Sequence, residues 1–153
     1  MPRSTVAVEN ITPGMVVYAA PGNLIVEDVL TTQTLTRQRR DKHPLIVLSV
    51  NAGAQQITVT YIATFLNSNS LAEVALRGGN AARRLFVPIT PATREFDYEP
   101  ITWLAHPDPI PAGWASARSK MVLTGAEFRT FDDAKYFSAD TAAALDALIT
   151  TVV

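Results

Sequence analysis

Residues 44–65 read PLIVLSVNAGAQQITVTYIATF, and the patterning of this stretch decides the fold class. From residue 57 onward, Ile57, Val59, Tyr61, Ala63 and Phe65 recur at period two, with Thr58, Thr60 and Thr64 between them and Ile62 as the apolar exception. Successive side chains of a strand point to opposite faces, so the alternation predicts a half-buried strand. Residues 44–50 are continuously apolar save for Ser49, as in a central strand covered on both faces. Asn51, Ala52 and Gly53 supply turn chemistry between the two runs, which are expected to form a hairpin.

Working outward, residues 15–19 follow the Pro13-Gly14 turn and read as an earlier strand. Residues 85–89 read as a later one, and Pro88 and Pro91 place it near a sheet edge because proline donates no ladder hydrogen bond. Weaker strand patterns cover 101–104 and 121–124. Between Pro100 and Trp114 the chain reads PITWLAHPDPIPAGW, an extended segment packed by its indoles. Trp103 and Trp114, with Tyr98 and Phe96, also have the chemistry of a base-stacking platform, although packing in the core is the commoner use of tryptophan. Two long connections, about residues 21–42 and 66–84, interrupt the strands, and connections of that length in compact domains are usually functional or disordered.

The C-terminal end changes period. Ser138 suits an N-cap, Asp140 places an acid in the first turn, and Ala142, Leu145, Leu148, Ile149 and Val152 recur at helical spacing. An amphipathic terminal helix follows, with residues 131–137 adding a helical turn before it. Several short strands and one terminal helix predict a mainly β chain, a small barrel with long loops and a C-terminal α-helix. The expectation is a single domain over 1–153, with barrel strands about 13–125 and a helical region about 131–153.

Composition narrows the function classes. The 153 residues include no cysteine and two histidines, so neither a disulfide framework nor a thiolate metal site is available; no cofactor and no metal are expected. The longest apolar runs, 15–21 and 44–48, fall far short of the roughly 18 residues of a spanning helix. The first twenty residues lack a continuous apolar segment of the kind that precedes signal cleavage, so an intracellular, cytoplasmic setting without membrane contact is expected.

The formal net charge of −1 conceals a strong asymmetry. Residues 31–94 hold eight cations (Arg37, Arg39, Arg40, Lys42, Arg77, Arg83, Arg84 and Arg94) against Asp41 and Glu73, a local balance of +6. The rest of the chain balances to −7. Such a distribution suggests one positive and one negative face, and the positive one suits phosphates, although basic runs are often simply solvated. No phosphate-binding loop, nucleophile elbow, zinc-protease motif or calcium loop is present in the sequence.

The order of these pieces resembles the MazF/PemK-like toxin family. The resemblance runs through Pro13-Gly14-Met15-Val16-Val17-Tyr18, a basic linker, then Lys42-His43-Pro44-Leu45-Ile46-Val47-Leu48-Ser49, the strand over 57–65 and the terminal helix. KHPLIVLS is its most specific part. The resemblance implies an SH3-like barrel, pairing into a homodimer, and metal-independent cleavage of single-stranded RNA. It places His43 where the family has its catalytic arginine, immediately before the proline of the second strand, and Thr64 where the family has a hydroxyl residue ending the third. The histidine is a departure, because a guanidinium is charged at all ordinary pH and grips phosphate with two donors, whereas free imidazole is largely neutral at pH 7. Imidazole can instead take a proton from a ribose 2′-hydroxyl, with His106, Asp108 or Lys42 as acid partners. Arg37, Arg39, Arg40, Lys42, Arg77, Arg83 and Arg84 are the expected RNA-binding residues. The expected partner is single-stranded RNA or, if the barrel is a non-catalytic interaction module, an acidic protein segment.

Overall fold

The computed structural model describes residues 3–19, 43–63, 86–90, 92, 113–117, 120–131 and 137–152. The continuously apolar run and the alternating run form the expected central hairpin, β3 (His43–Asn51) and β4 (Gln56–Ala63). Its connection is a short 3-10 turn, Ala52–Ala54, in which Asn51 Oδ1 accepts from the Ala54 N–H at 3.3 Å and the Gln55 N–H donates to the Ala52 carbonyl at 3.0 Å. The chain reverses through Gln55, held in the left-handed region at φ 52°.

Around the hairpin the chain lays down β1 (Arg3–Ala7), β2 (Val16–Ala19), β5 (Phe86–Ile89), β6 (Gly113–Ser116), β7 (Met121–Thr124) and β8 (Glu127–Phe131). The strand order is β1-β8-β2-β3-β4-β6-β5, with β7 also on β4, and every pairing is antiparallel. β4 therefore has a forked outer edge, since Gln56–Val59 pairs with β7 and Ile62 and Ala63 pair with β6. Only Gly125 and Ala126 separate β7 from β8, yet β7 bonds to β4 while β8 bonds to β2 and β1. A strand that changes partner at a bend turns a sheet corner. Here the bend is pinned on both sides, by the Gly125 N–H to the Gln55 carbonyl (2.8 Å) and the Val8 N–H to the Ala126 carbonyl (2.9 Å). Strands β1, β8, β2, β3, β4 and β7 thus curl into an antiparallel half-barrel, the mainly β architecture expected.

Burial on both faces of β3 explains why its sequence does not alternate. Leu45 and Val47 point into the barrel with Val8, Val17, Ile57, Val59, Phe86, Trp114 and Leu123. Ile46 and Leu48 point outward into a second cluster with Val16, Ile62, Val87, Ile89, Ala115 and the helix residues Leu145 and Ile149. The register shifts between Val47 and Ser49, which pair with Val59 and Thr58 in turn, so Leu48 is the extra residue of a β-bulge. The bulge resets the phase: Val50, rather than Ser49, lines up with Ile57 and packs on the inner core, and Ser49 is left exposed. Bulges also bend a strand and increase its twist, as a tightly curled sheet requires.

The terminal helix α1 (Ala139–Val152) covers the outer cluster with Ala142, Leu145 and Ile149 buried and Leu148 partly buried. Ser138 caps it as expected, its Oγ accepting from the Thr141 N–H at 3.1 Å. Two further contacts fix the helix entry and flank: the Phe137 N–H donates to the Gly14 carbonyl at 2.6 Å, and Lys120 Nζ lies 2.6 Å from Asp146 Oδ1. The edge position expected of residues 85–89 holds, since β5 ends the strand order and carries Pro88. Strands also occur outside the expected 13–125 span, as β1 and β8, and Phe131 closes a strand instead of opening a helical turn. The strand pattern at 101–104 lies outside the described residues, and Leu85 with it. No helix among the described residues is long and apolar enough to cross a membrane.

Candidate functional site

His43 is the first residue of β3 and pairs with Ala19, the last residue of β2. The same ladder pairs Tyr18 with Pro44, and one strand further on, Leu45 with Tyr61. Continued by two residues, that register sets Ala63, the last residue of β4, across from His43, and Ala63 pairs on its other side with Trp114 of β6. The ends of β2, β3 and β4 and the start of β6 therefore meet at one end of the sheet. Residues 20–42 leave from Ala19 and return at His43; residues 64–85 leave from Ala63 and return at Phe86 of β5. With strands about 4.8 Å apart, Ala19, His43 and Ala63, on three adjacent strands, span roughly 10 Å, while the return at Phe86 enters β5 from farther along the sheet, because β5 runs parallel to β4.

Of the expected catalytic and RNA-binding residues, the structure describes the backbone of His43 alone. Thr64 directly follows the last residue of β4, and Lys42 directly precedes His43, but Thr64, Arg37, Arg39, Arg40, Lys42, Arg77, Arg83 and Arg84 lie outside the described residues, as do His106 and Asp108. What the fold brings together is three of the four anchors: the first basic segment spans from β2 to β3 and the second leaves from β4, so Ala19, His43 and Ala63 lie on three consecutive strands at one end of the sheet.

Trp114 is resolved between its two possible uses. At 1% exposure it fills the barrel core, in line with the packing expected of an indole there, so its faces are closed to a nucleobase. Trp103, Tyr98 and Phe96 lie outside the described residues.

The outer face of β1, β8 and β2 carries a row that sequence reading missed. Thr130 is buried and Phe128 packs on the inner core, so the intervening Arg129 faces outward and is exposed. Arg129 pairs with Thr5 of β1 on one side and Tyr18 of β2 on the other, and Tyr18 in turn pairs with Pro44 beside His43. The signal in EFRTF was the alternation of Phe128 and Thr130 with Glu127 and Arg129. Among the described residues no group of three His, Asp or Glu side chains is placed to hold a metal ion. Comparison with family models, with curated proteins and with solved structures finds no match to this chain.

Proposed function

We propose that the chain is a MazF/PemK-like barrel that binds single-stranded RNA through its two basic segments, with His43 at the floor of the binding face. The observation that supports this reading is where the segments are anchored: the one holding Arg37, Arg39, Arg40 and Lys42 joins β2 to β3 at His43, and the one holding Arg77, Arg83 and Arg84 leaves β4 at the same end of the sheet. Cations on segments that leave from neighbouring strands can follow a flexible polyanion, and the sheet gives those segments fixed anchors. Pairing of two copies belongs to the same reading.

RNA affinity tests it. Each phosphate neutralised on a single strand contributes about −0.7 to the slope of log K against log salt. Replacing Arg37, Arg39 and Arg40 together with alanine should make that slope shallower by about 2, as read by titrating a short labelled oligonucleotide at several salt concentrations. Binding that ignores salt, or no binding at low salt, would leave the barrel as an interaction module for an acidic protein segment.

The second test addresses the position where the sequence departs from the family pattern. His43→Arg supplies a permanent charge and a fork of donors, and a charge-assisted pair to phosphate should tighten RNA binding roughly tenfold. In this proposal the native chain holds RNA without cutting it, so incubation with a chelator present should leave the oligonucleotide intact. Metal-free cleavage that disappears in both His43→Ala and Thr64→Val would instead make the pair catalytic, with the imidazole taking the 2′-hydroxyl proton.

A further inference from the structure

We infer that the bound strand continues from the His43 end onto the outer face of β2 and β8, where Tyr18 stacks a base and Arg129 holds a neighbouring phosphate. The inference rests on the RNA-binding reading above and extends it to residues outside the basic segments. Tyr18 is directly opposite both Pro44 and Arg129 in the ladder, so the three share one face in the order β3, β2, β8. Directly opposed residues in an antiparallel pair stand about 4.5–5.5 Å apart, which brings a ring and a guanidinium within reach of adjacent parts of one nucleotide.

Exposure separates this row from the rest of the outer face. Further along, the same face is closed by α1 over Ile46 and Leu48, whereas Arg129 and Thr5 are exposed and Tyr18 and Pro44 are half-buried. A half-buried tyrosine keeps one part of its ring fixed by packing, so little rotamer freedom is lost when a base stacks on what remains. Charge fixes the class of ligand. Arg129 supplies the positive charge of a row that begins at Pro44, the residue after His43. Glu127 opposes it: it is exposed and sits two residues before Arg129, on the same face of β8. If phosphate lies beside Arg129, then neutralising Glu127 and neutralising Arg129 must act in opposite directions on RNA affinity.

The test measures affinity and salt slope for a short single-stranded RNA in the full chain, with thermal unfolding of each variant as a check on folding. Arg129→Gln should make the slope shallower by about 0.7. Glu127→Gln should tighten binding at low salt. Tyr18→Leu should weaken it at least roughly fivefold, the lower end of what losing one base stack removes, while Tyr18→Phe retains it. If the native chain binds RNA and the Arg37, Arg39 and Arg40 replacement weakens it, but these β2 and β8 variants leave it unchanged, the extension is wrong and the basic-segment reading stands. Equal loss in Tyr18→Phe and Tyr18→Leu would also overturn the stacking role. Failure of the native chain to bind RNA at low salt overturns both.

Discussion

Gly14→Ala is expected to cost about 3 kcal/mol of folding stability, more than most single substitutions. Three demands meet at this residue. Gly14 has φ +96°, in a region that side-chain-bearing residues rarely adopt. The Met15 N–H donates to the Thr12 carbonyl at 3.2 Å, so Thr12-Pro13-Gly14-Met15 forms a reverse turn with proline and then a positive-φ glycine at its centre, the arrangement of a type II turn. The Gly14 N–H and carbonyl are both engaged, the first to the Val47 carbonyl at 2.8 Å and the second from the Phe137 N–H. A methyl group added here would lie 2.2 Å from the Phe137 carbonyl oxygen, a backbone atom that cannot rotate away. The substitution should therefore strain the turn and lift the entry of α1 from the sheet together. Gly53→Ala is the control: a Cβ there would meet only Asn51 Oδ1, at 3.8 Å, and stability should change by no more than about 0.5 kcal/mol. Chemical denaturation of the two variants measures both values. A Gly14→Ala protein as stable as the native chain would mean that α1 does not dock at this turn.

The same turn shows what the sequence made legible. Pro13-Gly14 announced a turn by composition, and Val16 and Val17 a strand after it, because those rules are local. The partner of the glycine, Phe137, is more than a hundred positions away in the chain, and no local pattern announces it. β3 and β4 were legible for the same reason as the turn, since a two-sided core demands an unbroken apolar run and a one-sided core an alternating one. β4 departs from its pattern where its environment changes. Thr60, placed by alternation on the polar face, is fully buried, and Ile62, the apolar exception, belongs to the outer cluster. Both lie beyond the point where β4 exchanges β7 for β6 and its outer face comes under cover.

What escaped were short elements with few apolar residues. β1 and β8 have five residues each, and their outward positions include the polar Thr5, Glu127 and Arg129, so too few inward side chains remain to set a period. The bulge at Leu48 left no mark in composition, because an inserted leucine in an apolar run looks like the run itself. For the proposed site the order is reversed. Charge placement pointed to the basic segments without any structure, and the structure adds that the first segment closes at His43 and the second leaves from β4 at the same end, while the Tyr18 and Arg129 row depended wholly on a register that only the folded sheet supplies.

Trp114→Ala should be the most damaging core truncation, at about 3–5 kcal/mol, the range found for removing a large buried aromatic. The indole is 1% exposed and shares the inner cluster with Leu45, Val47, Ile57 and Phe86. Its backbone pairs with Ala63 on one side and Pro88 on the other, so the residue that fills the barrel also joins the β5–β6 edge to β4. The cavity left by alanine could be closed only by moving that edge inward, and the edge is held in place by its pairing to β4, so little of the lost packing is recovered by relaxation. Differential unfolding by denaturant gives the stability. RNA affinity measured under conditions where the variant is still folded separates packing from recognition: a buried indole contributes nothing to stacking, so affinity per folded molecule should match the native chain, in contrast to Tyr18→Leu. A stable Trp114→Ala protein with weakened RNA binding would reverse the assignment and return the tryptophan to the binding face.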